Sequence, residues 1–126
     1  MSFSALAVMS ARNEADIIRW TTEHLLCQGI GVYVIDNWSD DGTWEMLPDL
    51  PLVGFERYPP DGPTRYFACR EMHKRTDEVL AASDADCCVF NDADEIRRSS
   101  NAGETLLDAF QRIFAAGYTA IDHKLY

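Results

Sequence analysis

The sequence predicts an α/β fold in which helices cover both faces of a mostly parallel central sheet. Short apolar runs alternate with segments of helical periodicity along the whole chain, which is the pattern of a parallel sheet. The runs are continuously apolar, as expected for strands that are buried on both faces. Three polar clusters each follow directly after one of these runs. We therefore expect a three-layer sandwich of Rossmann-like type, with ligands bound beyond the carboxyl ends of its strands.

The elements of this fold can be assigned from periodicity and from turn residues. In chain order they are a strand at residues 5–9, a helix at 14–27, a strand at 32–35, a short helix at 43–47, a strand at 52–55, a helix at 64–82, a strand at 87–90, a helix at 104–116 and a strand at 118–121. Asn13 is the expected N-cap of the first helix and Gly29 its stop. Pro48 is expected to end the short helix, and Gly117 to end the last one.

Length and charge limit the function. With 126 residues, the chain is expected to form a single domain, residues 1–126. The formal net charge of −10 argues against nucleic acid as a partner, because phosphates need a basic face. No apolar run approaches the roughly 20 residues of a membrane span. An acidic protein that binds an anionic nucleotide would need a cation or local arginines, whereas acidity alone can also serve solubility.

The four cysteines, Cys27, Cys69, Cys87 and Cys88, form no C-x-x-C pair and no zinc spacing. They are interpreted as buried, reduced thiols, which favours a cytoplasmic location.

Asp92 and Asp94 follow the apolar run at residues 87–90 and flank a single alanine. Residues two apart in an extended segment point the same way, so the two carboxylates share one side, with Glu95 adjacent. Such oxygen ligands suit Mg²⁺ or Mn²⁺. A solvated acidic loop or a helix N-cap remains the alternative for this triplet.

The other candidates lie in the remaining polar clusters and in the long helix. Asp36 and Asn37 follow the second strand and could bond a ribose or a base edge, or could instead form an Asx turn before Gly42. Arg12 and Arg70 are candidate phosphate partners, because guanidinium groups pair well with phosphate oxygens.

Three segments resemble glycosyltransferase family 2. They are residues 10–15 (SARNEA), 36–43 (DNWSDDGT) and 91–95 (NDADE), in the family's order and at similar spacings. The resemblance is closest to the bacterial branch with an R-N-E start and a D-N-x-S-x-D-G-T loop, and it covers nearly the whole chain. It implies a GT-A fold, a nucleotide-diphosphate-sugar donor carrying UDP or GDP, and Mn²⁺ or Mg²⁺ as cofactor.

The resemblance also implies roles for individual residues. Ser10, Arg12 and Glu14 would line the nucleotide pocket together with Asp36. Asn37 occupies a position at which many relatives carry an aspartate that reads the uracil or the ribose. Arg70 resembles the arginine of an A-R-N stretch near the nucleotide. Asp92 and Asp94 match the D-x-D motif, with Asp94 the more direct metal ligand and Asp92 nearer the sugar.

The resemblance implies transfer of a sugar to an acceptor hydroxyl, on a glycan or a lipid-linked acceptor. Residues after Asp94 offer no convincing catalytic base, so we expect the chain to be the donor-binding half of an incomplete fold, inactive in isolation and able to form a homodimer through an uncovered face. Two alternatives remain open: a non-catalytic nucleotide-binding or protein-interaction module, and a phosphoryl-transfer α/β protein.

Overall fold

The computed structural model describes residues 3–63 and 69–121. Its strands are β1 (Ala5–Ala11), β2 (Gly31–Asp36), β3 (Gly54–Arg57) and β4 (Cys87–Asp92), and its helices are α1 (Ile18–Cys27), α2 (Thr43–Met46), α3 (Cys69–Ala81) and α4 (Leu106–Ala115). A 3-10 helix at Leu47–Asp49 follows α2 directly.

The four strands form one parallel sheet in the order β3-β2-β1-β4. The parallel direction brings the carboxyl ends of all four strands to one edge. The register there pairs Ser10 of β1 with Asp92 of β4 on one side and with Ile35 of β2 on the other. Two predicted site residues that are 82 positions apart in the sequence therefore lie side by side.

Helices cover both faces of the sheet, as predicted. Side chains of α1 and α4 pack on one face, where Ala7 and Met9 of β1 are fully buried. Side chains of α3 pack on the other face, against Leu6 and Val8 of the same strand. The continuous apolar run of β1 thus serves two separate cores, and the fold is a three-layer α/β sandwich.

The predicted start of the first helix is wrong. The N-cap of α1 is Ile17, not Asn13, which adopts a left-handed backbone (φ 57°) and accepts a hydrogen bond from Asp40 N–H instead. The short helix does end before Pro48, as predicted, because α2 ends at Met46. Pro48 itself lies in the first turn of the 3-10 helix that follows, where proline is tolerated. Gly29 and Gly117 do follow their helices with positive φ, as expected for C-terminal stops.

The strand predicted at residues 118–121 is also wrong, because this segment is irregular and Tyr118 is exposed. An apolar run this short does not form a strand without a partner to hydrogen-bond. β3 begins two residues later than predicted, and β4 continues through Asp92. Part of the predicted helix at 64–82, residues 64–68, lies outside the described residues.

The cysteine prediction is correct for pairing and partly wrong for burial. All four thiols are free, but only Cys87 is buried, whereas Cys27, Cys69 and Cys88 are exposed. Adjacent strand residues face opposite sides of the sheet, so Cys87 enters one core while Cys88 points to the other face, where it is exposed. No helix in the described part of the chain is long and apolar enough to cross a membrane.

Candidate functional site

A cavity of about 350 Å³ opens at the carboxyl edge of the sheet, between the ends of β1 and β4. Its lining residues are Ser10, Arg12, Glu14, Asp92, Ala93 and Asp94. Five of these were predicted as site residues from the sequence. The cavity therefore combines one guanidinium group with three carboxylates.

Two carboxylates reach this cavity, Asp92 from the end of β4 and Asp94 from the turn that follows. The extended geometry predicted for the triplet therefore holds only as far as Asp92, because Ala93 and Asp94 form a turn. Asn91 and Ala93 are buried, and Ala93 packs within the core beneath the sheet edge. Asp92 lies between these two residues and Asp94 follows Ala93, and both aspartates are exposed. A small apolar residue in the middle of the triplet thus anchors the chain while the acidic residues on both sides point outward.

Hydrogen bonds fix the turn that carries the triplet. The Asn91 amide donates to the carbonyls of Asp92 (2.8 Å) and Glu95 (3.2 Å). The Arg97 guanidinium donates to Asn91 Oδ1 (2.9 Å) and Glu95 Oε2 (2.8 Å). From α1, Thr21 Oγ1 donates to the carbonyl of Ala93 at 2.5 Å. Asp92 and Asp94 are therefore displayed on a braced turn.

The loop after β1 is joined to the loop after β2 by side chains that satisfy its backbone. Three consecutive amides of the first loop, Asn13 N–H, Glu14 N–H and Ala15 N–H, donate to Ser39 Oγ, Thr43 Oγ1 and Asp41 Oδ2 at 2.8, 3.0 and 3.2 Å. Sequence reasoning identified the second loop as a turn, but it missed this role, because the partners are 26 to 29 positions apart. The second loop thus fixes the backbone that carries Arg12 and Glu14.

Asp36 and Asn37 are not among the described residues that line the cavity. Both side chains are completely buried. The Asp36 carboxylate accepts hydrogen bonds from Ser39 N–H (3.0 Å) and Ser39 Oγ (2.5 Å), and it faces Arg57 Nε at 3.4 Å. These contacts are those of an Asx turn, which was the alternative to ligand binding predicted for this loop. The predicted contact of Asp36 with a ribose would need this turn to open.

Asn37 joins two other parts of the site. Its Oδ1 accepts a hydrogen bond from Arg12 Nη1 at 3.1 Å, and its Nδ2 donates to the carbonyl of Tyr58 at 2.8 Å. Arg70 lies apart from this arrangement, in the first turn of α3, where it is exposed. It is not among the described residues that line the cavity.

Arg57 was not identified from the sequence, although it braces the second loop. Its guanidinium lies 4.6 Å from the ring centroids of both Trp38 and Trp44, and it donates to the carbonyl of Ser39 at 3.2 Å. Cation–π contacts of this kind are stabilising when they are partly desolvated. An arginine followed by an exposed loop gives no sequence signal for such a contact.

The cavity carries an excess of negative charge. Burial raises the pKa of Glu14 above its ordinary value of 4.5, and neighbouring carboxylates raise it further. In decreasing order of effect these carboxylates are Asp94, Asp16, Asp41 and Asp92. Burial, and then a hydrogen bond with Asp92, also raise the pKa of Glu95. A bound cation would relieve this repulsion.

No protein-family model and no curated protein matches this chain. The case for a function therefore depends on the chemistry of the cavity itself.

The carboxylates fit a divalent cation only together with other ligands. Among the described residues, no three His, Cys, Asp or Glu side chains come together closely enough to hold a metal ion. Asp92 and Asp94 can offer two carboxylates, and Mg²⁺ is commonly bound by one or two carboxylates, with substrate phosphates and water completing the shell. The donor set thus fits a cation that arrives with a phosphorylated ligand.

A second, larger cavity of about 410 Å³ runs along β4, away from these groups. Its lining includes Cys87, Val89, Phe110, Phe114 and Arg97. It has none of the paired carboxylates at the carboxyl edge. The smaller cavity is therefore the candidate site, because it holds the convergent polar groups.

Proposed function

We propose that this chain carries the donor site of a metal-dependent glycosyltransferase, which transfers a sugar from a UDP- or GDP-sugar to an acceptor hydroxyl. The proposal rests on one observation. A single cavity at the carboxyl edge of a parallel sheet is lined by Arg12 and by the two carboxylates of Asp92 and Asp94. Ligand sites of open α/β sheets lie at this edge. A nucleoside diphosphate with its cation matches both charges.

Four of the lining residues have a role in this proposal. Arg12 binds phosphate oxygens, for which a guanidinium is well suited. Ser10 lies beside Asp92 in the sheet register and offers a hydroxyl to the nucleotide. Asp94 and Asp92 bind Mn²⁺ or Mg²⁺, with Asp92 also near the sugar. The cation supplies charge neutralisation of the departing diphosphate.

The donor set predicts how the cation and the nucleotide depend on each other. Two carboxylates alone bind Mn²⁺ weakly, because the remaining ligands must come from water or phosphate. The nucleotide alone is repelled by the acidic cavity. We therefore expect each to bind more tightly in the presence of the other, by about tenfold or more, since about 1.4 kcal/mol of coupling corresponds to that factor.

Isothermal titration calorimetry with UDP and GDP, with and without Mn²⁺, tests the proposal. Asp94→Asn keeps the size of the side chain but removes its charge, and it should abolish the Mn²⁺ dependence of nucleotide binding. Asp77→Asn is the matched control, because Asp77 is an exposed aspartate on α3 that does not line the cavity. The proposal fails if neither nucleotide binds, or if binding is the same with and without Mn²⁺.

A non-catalytic nucleotide-binding module is the second candidate. It is favoured because binding needs only Arg12, Asp92 and Asp94, whereas sugar transfer also needs a base, and Glu14 is the one further carboxylate among the described residues that line the cavity. Incubation with UDP-sugars and Mn²⁺ separates the two candidates. Release of free sugar or of UDP would exclude the binding-only module, whereas tight binding without turnover would support it.

A further inference from the structure

We propose that Asn37 is a positioning residue that holds the Arg12 guanidinium in the cavity, and that Arg12, not Asn37, contacts the nucleotide. This inference rests on the proposed function. It assigns recognition at this part of the site to the phosphates of a nucleoside diphosphate, and it predicts that residue 37 does not discriminate between bases.

Burial keeps Asn37 from touching a ligand. Its exposed fraction is 0 %, and both its amide oxygen and its amide nitrogen already bond within the chain. Its backbone N–H donates to the carbonyl of Ala11 at 2.8 Å, which ties the residue to the end of β1. A nucleobase could reach this amide only if the loop opened.

The carbonyl of Tyr58 sets the orientation of the amide. Because the Asn37 Nδ2 group must face this carbonyl, Oδ1 must face Arg12. The carbonyl is itself fixed, since Tyr58 N–H donates to Asp36 O at 2.9 Å and Trp38 Nε1 donates to the next carbonyl, that of Pro59, at 2.6 Å. A carboxylate at position 37 would set an oxygen against the Tyr58 carbonyl, so the position requires an amide.

The bond to Asn37 leaves Arg12 able to bind an anion. A guanidinium has five N–H groups in a fixed plane, and Nη1 uses one of them on Asn37. Holding one edge of that plane restricts the rotation of a flexible side chain, so that less freedom is lost when the other N–H groups bind phosphate. Asn37 therefore acts on affinity through Arg12 alone.

A double-mutant cycle in the presence of Mn²⁺ tests this inference. We expect Asn37→Ala to weaken UDP and GDP binding by the same factor, about tenfold, and to leave the ratio of the two affinities within about twofold. In an Arg12→Ala background, Asn37→Ala should change affinity by less than about twofold, because its effect passes through Arg12. Arg75→Ala is the matched control, since Arg75 bonds Glu56 at 2.8 Å outside the cavity.

The possible outcomes separate this inference from the proposed function. A change of tenfold or more in the ratio of UDP to GDP affinity in Asn37→Ala would overturn it, and so would additive effects in the cycle. If Asn37→Ala does not fold, the Arg12→Ala variant alone tests the inference. It should weaken UDP binding far more than uridine binding, and equal effects on both would overturn the inference. If the wild type binds no nucleotide, the proposed function fails and the inference fails with it.

Discussion

Thr43 offers a quantitative test of how the two loops of the cavity are joined. Its side chain is completely buried, and its hydroxyl accepts from Glu14 N–H and donates to the Asp41 carboxylate. Thr43→Val keeps the shape and removes both bonds. The bond to Glu14 contributes about 1 kcal/mol, and the bond to the charged group about 1.5–3 kcal/mol. Because Asp41 is exposed and can bond water instead, we expect a loss of about 2–3 kcal/mol in the free energy of unfolding.

Thr22→Val is the matched control for this substitution. Thr22 is also completely buried, but its Oγ1 is a buried side-chain oxygen without a hydrogen-bond partner among the described residues. Removing it should leave stability unchanged or increase it by about 1 kcal/mol. Urea titration gives both free energies, and thermal melts should show a fall of roughly 10 °C for Thr43→Val alone. Equal effects of the two substitutions would refute the reasoning.

Two further predictions concern titration and reactivity. Burial, and then a hydrogen bond to Glu56, raise the pKa of Tyr33 from 10.0 to about 12. The phenol therefore contributes stability below pH 10 that is lost as the pH rises through about 12, and Tyr33→Phe should flatten this limb of a plot of urea midpoint against pH. Burial also raises the pKa of the Cys87 thiol, so iodoacetamide should modify Cys27, Cys69 and Cys88 in the native protein well before Cys87. Peptide mass spectrometry would show the order, and equal rates at Cys87 and Cys88 would contradict it.

The fold was predictable because its signals are local. The apolar run of β1 contributes side chains to both faces of the sheet, and only a sheet with helices on both faces buries all of them. The direction of Asp92 was predictable for the same reason, since strand alternation sets where it points. Asp94 reaches the same cavity from the turn after β4, where strand alternation does not apply. Both predictions can be made without knowing which strands are neighbours, because parallel strands all end at one edge of the sheet.

The contacts within the site were not predictable, because they join groups distant in sequence. Asn13 has the residue type and position of an N-cap, but its own backbone N–H donates to Ser39 Oγ and that of Glu14 donates to Thr43 Oγ1. Asn37 directly follows a strand, which is where ligand-binding residues of such sheets lie. It is nevertheless buried, and its amide is oriented by the hydrogen bond to the Tyr58 carbonyl. Residue type limits the bonds that such side chains can form, whereas tertiary packing decides which partner is used.

The charge of the cavity constrains how a diphosphate could enter it. Burial and then Asp94 raise the pKa of Glu14, so the cavity disfavours additional negative charge. Arg12 offers one positive charge, and part of it faces the Asn37 amide. A diphosphate brings two or more negative charges and would leave the cavity further from neutrality. Under the proposed function, a divalent cation held by Asp92 and Asp94 would offset the negative charge that the diphosphate adds. We therefore expect the acidic cavity to bind a phosphorylated ligand well only when a cation binds with it.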